Sequence, residues 1–264
     1  MSTQTLAAAD AAVTSTDQAL ADLGVTADTL PPQAYRQLDE QGFLALPGVI
    51  DPAWLDELRA RTDELLAFEG GSAGHEVGGQ TGVDMLADLL NKGEVFERML
   101  RTPQVLAAVQ HVLGDFRVNS LNYRAAPPGS GNQGLHSDCG NPTDDGRYRI
   151  CNSIWLLDDF TDHNGSTRYV AGTHTAGKLP ADVMDDVLAP HPDQQLLTGT
   201  AGTVVIFNAH LWHGGTQNAT DTARRGMTLS FTQRDLPQQL DQAAHIRKRV
   251  YDRLSPAERY LLDV

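Results

Sequence analysis

The chain has 264 residues, of which 41% are hydrophobic and 20% charged, as in an ordinary globular protein. A net charge of −14, from 20 Lys and Arg against 34 Asp and Glu, argues against nucleic acid or an anionic membrane as a partner. No stretch approaches the roughly 18 apolar residues of a membrane span, and the N-terminus lacks the basic start and apolar core of a signal peptide. We expect a cytoplasmic protein, and the two cysteines, Cys139 and Cys151, fit a reducing compartment.

Residues 1–30 are rich in Ala, Thr, Asp and Ser and contain no aromatic residue. Such a composition buries little apolar surface, so we expect a flexible leader or a loose helix there. Pro31-Pro32 follows, and residues 31–264 are expected to form a single domain.

The first part of this domain is predicted to be helical. Amphipathic spacing and Pro-containing start signals predict helices at 33–41, from Asp51-Pro52 to Gly70-Gly71, and from Thr102-Pro103 to Gly114. A brief strand is expected over 42–47. Residues 70–83 hold six glycines, so we expect an irregular segment long enough to act as a lid.

From residue 115 the pattern changes to short strands separated by Gly, Asn, Asp and Pro. No regular helical pattern separates them, which favours an antiparallel barrel or double-sheet jelly roll over about residues 115–235. The tail over 239–264 returns to helix, with Ser255 and Glu258 spaced as a capping box. We therefore predict a mainly β fold with flanking helices. The predicted strands are 116–125, 149–157, 168–171, 203–208 and 227–233.

The most informative stretch is Gly134-Leu-His136-Ser-Asp138-Cys-Gly140. On a strand, residues two apart point to the same side, so His136 and Asp138 would converge. An imidazole and a carboxylate suit a divalent first-row metal, and one further His would complete the ligand set of a non-haem Fe(II) oxygenase. A His-X-Asp tripeptide by itself also occurs where both side chains only satisfy loop hydrogen bonds.

A second segment, residues 202–218, supplies a further histidine. A buried strand there delivers His213 immediately before a glycine-rich turn, and Arg224 follows at the start of the next apolar strand. His210 is a rival ligand, but it lacks the flanking Trp and the glycine turn. A structural or pocket-lining role is favoured for it.

The order His136-X-Asp138, His213, Arg224 resembles the phytanoyl-CoA dioxygenase family of Fe(II)- and 2-oxoglutarate-dependent oxygenases. The resemblance implies a double-stranded β-helix core of the jelly-roll, cupin-like kind. It also implies that His136, Asp138 and His213 are the catalytic metal ligands. Besides these motifs it includes Gln133, Trp155–Asp159 and Asn164-Gly165, within about residues 33–235.

The resemblance further implies how the co-substrates are used. In the family, the 2-oxo acid chelates iron, an arginine meets its far carboxylate, and reaction with O2 yields succinate and CO2. Arg224 would supply that bidentate, charge-assisted pair. The adjacent Arg225 should point to the other side of its strand, unless the two roles are exchanged. Because halogenating relatives lack the carboxylate ligand, Asp138 implies hydroxylation or desaturation.

Three positions depart from the family pattern. Ala171 and Thr173 stand where the family usually shows Pro-Gly-Ser-His, although the turn at Gly172 is kept. Gly215 stands where relatives often have a Ser whose hydroxyl helps to hold the co-substrate carboxylate. That contact with 2-oxoglutarate is therefore in question, but the class of enzyme is not.

Two further residues are candidate contacts of the co-substrate. Asn122, on the strand before the metal motif, could reach 2-oxoglutarate or substrate from the barrel interior, and Tyr123 would replace it if the register differed by one. Trp155 is either a core aromatic or a wall of the co-substrate pocket.

The substrate is the least determined feature. The net charge of −14 disfavours a polyanionic acyl-CoA and favours a small polar metabolite or natural product, amine-bearing or neutral. A fatty acyl-CoA hydroxylase of the same family is one alternative. Another is a cupin-type metal enzyme or binding protein, which would use more His and a Glu as ligands and give Arg224 no role. The sequence indicates no oligomeric state.

Overall fold

The computed structural model describes residues 12–79, 82–140 and 146–264, and its centre is a pair of antiparallel sheets. The strands are β1 (Phe43–Leu46), β2 (Asp84–Leu86), β3 (Phe116–Ala126), β4 (Ile150–Leu156), β5 (Thr167–Val170), β6 (Gln195–Leu196), β7 (Val204–Asn208), β8 (Trp212–Gly215) and β9 (Arg224–Gln233). The α-helices are α1 (Thr16–Asp22), α2 (Pro32–Gln41), α3 (Pro52–Glu69), α4 (Pro103–Leu113), α5 (Gln242–His245), α6 (Lys248–Tyr251) and α7 (Pro256–Leu262). Within the described ranges, no helix combines the length and hydropathy needed to span a bilayer.

The strand order is that of a jelly roll. The larger sheet has the order β1-β7-β4-β9-β3-β2 and the smaller one the order β6-β5-β8. All these pairings are antiparallel, and most neighbours in a sheet are distant in the chain. The predicted antiparallel, cupin-like core is confirmed.

Side-chain alternation divides the larger sheet into two faces with different chemistry. On β4, Cys151 and Trp155 belong to the main hydrophobic core, whereas Asn152 and Ile154 line a pocket between the two sheets. Helices cover the apolar face, and Trp54 of α3 meets Trp155 edge to face with 5.7 Å between ring centroids. The helical layer thus leaves the polar face of the sheet free to form a site.

The helix boundaries follow the capping signals in the sequence. Asp51 accepts a hydrogen bond from the Trp54 amide at 2.9 Å, and α3 ends before Gly70. At the other end of the chain, Ser255 and Glu258 form the predicted capping box of α7. The tail contains three short helices, α5, α6 and α7.

The N-terminal stretch differs from the expected flexible leader. Helix α1 packs against α4 and α7, and Leu20 is only 1% exposed. Thr16 also donates a short hydrogen bond to Asp115. Of the two expected forms, residues 12–30 contain the helix, and it is packed rather than loose, because adjacent Ala19 and Leu20 give α1 an apolar side that the helical layer buries. Residues 1–11 lie outside the described part of the chain.

The glycine-rich segment over 70–83 contains short 3-10 helices at Gly70–Ser72 and His75–Val77. Lys92 holds this segment through ion pairs with Glu69 at 2.8 Å and Glu76 at 2.5 Å. Residues 80 and 81 lie outside the described residues, and a lid role stays a prediction.

We expect Leu20→Ala to lower the free energy of unfolding by about 2–5 kcal/mol, because it removes a fully buried side chain from the contact of α1 with the domain. Asp22→Ala, at an exposed position of the same helix, should change it by less than about 0.5 kcal/mol. Urea unfolding followed by circular dichroism measures both. Equal, small effects would mean that α1 contributes nothing to the packed structure.

Candidate metal centre

His136, Asp138 and His213 meet in the pocket between the sheets, and one ligand atom from each lies within 4.8 Å of the others. His213 belongs to β8. His136 is bridged to it by two backbone hydrogen bonds, from His136 N to His213 O at 2.9 Å and from His213 N to His136 O at 3.0 Å. Asp138 follows in a turn rather than on a strand. The bridge aligns the two histidines, and the turn carries the carboxylate to them.

Both imidazole rings present Nε2 to Asp138. Nδ1 of His136 lies 2.9 Å from Gly134 O, and Nδ1 of His213 lies 2.9 Å from Leu211 O. Because a carbonyl oxygen can only accept, each Nδ1 carries a proton, and loss of the proton from Nε2 would leave a lone pair there for a metal. The Nε2 atoms lie 3.3 and 3.5 Å from the oxygens of Asp138.

Asp138 is both oriented and kept ionised. Its Oδ2 accepts a hydrogen bond from Asn152 Nδ2 at 2.7 Å. Desolvation raises the pKa of Asp138, but His213 and His136 outweigh it and lower that pKa to about 2. Burial lowers the pKa of His213. Burial acts in the same direction on His136, but the hydrogen bond to Asp138 and the charge of Asp138 give the pKa of His136 a net increase. Two imidazoles and one carboxylate could together hold a divalent first-row metal.

Arg224, the first residue of β9, lines the same pocket. Its guanidinium lies 4.2 Å from the centroid of the Phe160 ring and donates to Gly165 O at 2.6 Å. Its Nε is buried and has no hydrogen-bond partner in the described part of the chain. Burial lowers the pKa of Arg224 to about 10. The pocket therefore holds a desolvated cation with unused hydrogen-bonding capacity.

Arg225 has a different environment. Its guanidinium forms ion pairs with Asp158 at 2.9 Å and Asp63 at 3.2 Å, and its backbone N–H also donates to Asp158 at 2.9 Å. The hydrogen-bonded Asp158 carboxylate raises the pKa of Arg225. Of the two adjacent arginines, Arg224 is the one that faces the pocket.

Asn122 faces the pocket, whereas Trp155 does not. Asn122 is 2% exposed, and its Oδ1 has no partner among the described residues, while Tyr123 lies in the core. Trp155 is fully buried in that core and donates from Nε1 to Ser153 Oγ at 2.9 Å. Trp155 as a contact of the co-substrate is therefore wrong, because alternation along β4 turns Ile154 into the pocket instead.

Two other buried histidines stand apart from the cluster. His210 packs near Tyr148, with 5.8 Å between ring centroids, and is not among the described residues that could share a metal. Nε2 of His174 lies 3.2 Å from Asp39 O, beside the turn in which Gly172 has a φ of 79°. Both positions agree with structural roles.

Gly215 occupies a place with no room for a side chain. Its amide donates to Gln133 Oε1 at 2.9 Å. A Cβ at this position would lie 2.2 Å from Gly131 O. The serine that relatives often carry here cannot be accommodated by this backbone, which explains the departure from the family pattern.

Sequence reasoning missed Asn152, Arg124 and Gln239 in the lining of this pocket of about 370 Å³. Asn152 is detectable in principle as a polar residue between Ile150 and Ile154, and Arg124 as the next inward position after Asn122. Gln239 has no local signal, since it reaches the pocket from the chain beyond β9.

A jelly roll whose pocket combines two histidines, one carboxylate and a half-buried arginine defines a class of cupin-like, metal-dependent enzymes. The model of the phytanoyl-CoA dioxygenase (PhyH) family matches residues 38–226, and the chain belongs to this family. It is accordingly a 2-oxoglutarate-dependent dioxygenase that uses Fe(II), with 2-oxoglutarate and O2 as co-substrates.

Individual relatives agree with this assignment. The dioxygenase trt7 of Aspergillus terreus is 29% identical over 234 residues, which cover 82% of this chain and 78% of trt7. HygX from Streptomyces hygroscopicus, solved with nickel and 2-oxoglutarate bound, has a TM-score of 0.65 at 20% identity, covering 79% of this chain and 89% of HygX. EctD from S. alaskensis, solved with iron bound, has the same TM-score and identity and covers 79% of each chain.

We expect Gly215→Ser to lower the free energy of unfolding by about 1–3 kcal/mol, because the new side chain meets the Gly131 carbonyl. Gly71→Ser is the matched control, since nothing lies within 4 Å of a Cβ built there. Urea unfolding and equilibrium dialysis with labelled 2-oxoglutarate report the two effects. A Gly215→Ser protein of unchanged stability and tighter 2-oxoglutarate binding would contradict the packing argument.

Proposed function

We propose that this enzyme hydroxylates a C–H bond of a small polar metabolite or natural product and releases succinate and CO2. In this proposal His136, Asp138 and His213 hold Fe(II), and Arg224 binds the distal carboxylate of 2-oxoglutarate. One observation carries it. Three metal donors within 4.8 Å of one another share a pocket with an arginine whose buried Nε has no partner among the described residues.

The donor set fits ferrous iron. Two imidazoles and one carboxylate leave coordination positions open for a co-substrate and dioxygen, and iron bound there supplies the activation of dioxygen that oxidises an unactivated C–H bond. Asp138 fills the ligand position that a halide would need, which favours hydroxylation over halogenation. The Gly134 and Leu211 carbonyls orient the imidazoles, and Asn152 orients the carboxylate.

Arg224 fits the distal end of a dicarboxylate. Phe160 and Gly165 fix its guanidinium from two sides, so a planar donor edge is presented with little freedom left to lose. The partly buried guanidinium forms no ion pair in the described part of the chain, and a carboxylate forms the strongest complementary hydrogen bonds. The 2-oxo acid end would then extend toward the metal ligands.

The charges of the pocket and chain favour a substrate other than an acyl-CoA. Coenzyme A carries several phosphate charges, which require clusters of Lys and Arg. Arg124 and Arg224 are the basic residues that line the described pocket, apart from the two histidines of the metal cluster, and the chain carries a net charge of −14. HygX has been solved with hygromycin B bound, which supports a small-molecule substrate of that general kind here.

We also propose a cytoplasmic location. Cys139 and Cys151 are both free thiols. Burial raises the pKa of Cys139 to about 12.

The proposal is tested by incubating the Fe(II)-loaded protein with 2-oxoglutarate and O2 in the presence of candidate substrates. Succinate is measured by NMR, and products are examined by mass spectrometry for the gain of one oxygen atom. Absence of succinate under all conditions would overturn the proposal, and a product that has lost two hydrogens would replace hydroxylation by desaturation.

We expect His136→Ala, Asp138→Ala and His213→Ala each to abolish tight Fe(II) binding and turnover, because a site missing one of three ligands holds the metal poorly. His210→Ala should retain most of both, since His210 lies outside the cluster. Equilibrium dialysis against Fe(II) under anaerobic conditions measures the affinity. Loss of iron in His210→Ala together with normal affinity in His213→Ala would reverse the ligand assignment.

We expect Arg224→Ala to raise the KM for 2-oxoglutarate by about 30-fold or more, the equivalent of at least 2 kcal/mol for losing one member of a desolvated charge pair. Arg225→Ala should leave that KM within about threefold and act mainly on stability, because its partners are Asp158 and Asp63. Steady-state succinate formation and urea unfolding separate the two effects. Equal increases in KM would contradict the assigned roles.

A further inference from the structure

The pocket has a polar end that the metal and 2-oxoglutarate do not account for. It consists of side chains that are all uncharged and all capable of hydrogen bonding. They are Asn119, Ser120, Asn122, Thr228, Ser230 and Gln239, which we call the amide subsite.

The strand register separates the amide subsite from Arg224. Ser230 lies six positions beyond Arg224 on the same face of β9, which corresponds to about 20 Å along the strand. Ser230 is paired directly with Asn152, whose amide holds Asp138. Ser230 is therefore level with Asp138, and Arg224 is at the other end of the pocket, with Thr228 and its partner Asn122 between them. A 2-oxoglutarate molecule between Arg224 and the metal leaves Ser120, Ser230 and Gln239 free.

A β-bulge builds this end of the pocket. The β3–β9 register shifts between Val118 and Ser120, so Asn119 is an extra residue. Asn119 Oδ1 accepts a hydrogen bond from the backbone N–H of Gln239 at 2.6 Å, and Asn119 O accepts one from the backbone N–H of Leu240 at 3.3 Å. Asn119 also donates to Ser230 Oγ at 3.0 Å. The bulge thus docks the chain after β9 and places Gln239, which is exposed, at the pocket mouth.

The hydrogen bonds inside the amide subsite leave one strong acceptor unused. Gln239 Oε1 accepts from Ser120 Oγ at 2.6 Å and from Asn122 Nδ2 at 3.2 Å. Asn122 Nδ2 also lies 3.2 Å from Ser120 Oγ. Asn122 is only 2% exposed, and its Oδ1 has no hydrogen-bond partner among the described residues. Native proteins rarely leave such an atom unsatisfied, so a bound group is expected to donate to it.

We propose that the amide subsite binds an uncharged, hydroxyl-bearing part of the substrate, with Asn122 Oδ1 accepting from a substrate hydroxyl. This inference rests on the proposed function. A hydroxyl both donates and accepts, which matches a subsite that mixes amides with Ser and Thr hydroxyls. An ammonium or phosphate group would be desolvated there with no counter-charge among the six side chains, which is unfavourable. Gln239 makes the segment after β9 part of substrate recognition.

The test compares classes of probe on the Fe(II)-loaded protein with saturating 2-oxoglutarate. The uncharged hydroxylated probes are methyl α-glucoside, myo-inositol and hydrocortisone. The charged probes are hygromycin B, which is cationic, and palmitoyl-CoA, which is anionic. The measurement is succinate formation above the rate without probe. We expect stimulation by at least one uncharged hydroxylated probe and a weaker response to both charged ones.

The variants Gln239→Ala and Asn122→Ala should each raise the KM for the stimulating probe about tenfold, as expected for a lost or unsatisfied hydrogen bond. In Gln239→Ala the KM for 2-oxoglutarate should change less than twofold, the reverse of the pattern expected for Arg224→Ala. Gln217→Ala, at an exposed glutamine outside the pocket, is the matched control and should change neither constant. Because Gln239 is exposed, its variant keeps the test decisive if Asn122→Ala folds poorly.

Three outcomes would overturn the inference while leaving the proposed function intact. They are stimulation only by a charged probe, no stimulation by any uncharged probe despite conversion of 2-oxoglutarate to succinate, and an unchanged probe KM in Gln239→Ala. A wild-type protein that forms no succinate at all would overturn the proposed function, and the inference would fail with it.

Discussion

The backbone bridge between His136 and His213 is the constraint on which the site depends. It joins two segments that are 77 residues apart in the sequence through a reciprocal pair of hydrogen bonds. Directly paired residues on antiparallel strands present their side chains on the same face, so the pairing itself brings the two imidazoles together. Asp138 needs only the short turn after His136 to join them. Main-chain geometry thus positions the three candidate metal donors.

Side-chain alternation on the larger sheet separates the residues that face the helix-covered core from those that face the pocket. Odd-numbered positions of β4, such as Trp155, enter the helix-covered core, while Asn152 enters the pocket. The same rule sends Arg224 and Arg225 to opposite faces of β9. Asp158 binds both the backbone N–H and the guanidinium of Arg225, which keeps that register in place. The pocket cation therefore owes its orientation partly to an ion pair on the other side of the sheet.

The pocket also shows how a chain with an excess of acids presents an electropositive site. Carboxylates are placed outside the pocket, as in the ion pairs of Asp158 and Asp63 with Arg225, and Asp138 is the acid that lines the described pocket. Desolvation then makes Arg224 attractive to an anion despite the net charge of −14. The local environment of Arg224 in the pocket thus differs from what the overall charge of the chain suggests.

The sequence by itself determined the local features of this protein. The Asp51-Pro52 helix start, the capping box at Ser255 and the antiparallel strand pattern were all readable, because each depends on residues close together in the chain. Tertiary structure alone decided which face Trp155 takes, that α1 packs onto the helical layer, that Gly215 has no room for a side chain, and that Gln239 reaches the pocket. Each of these depends on a contact between segments distant in sequence, and local pattern carries no information about which distant surface will be there.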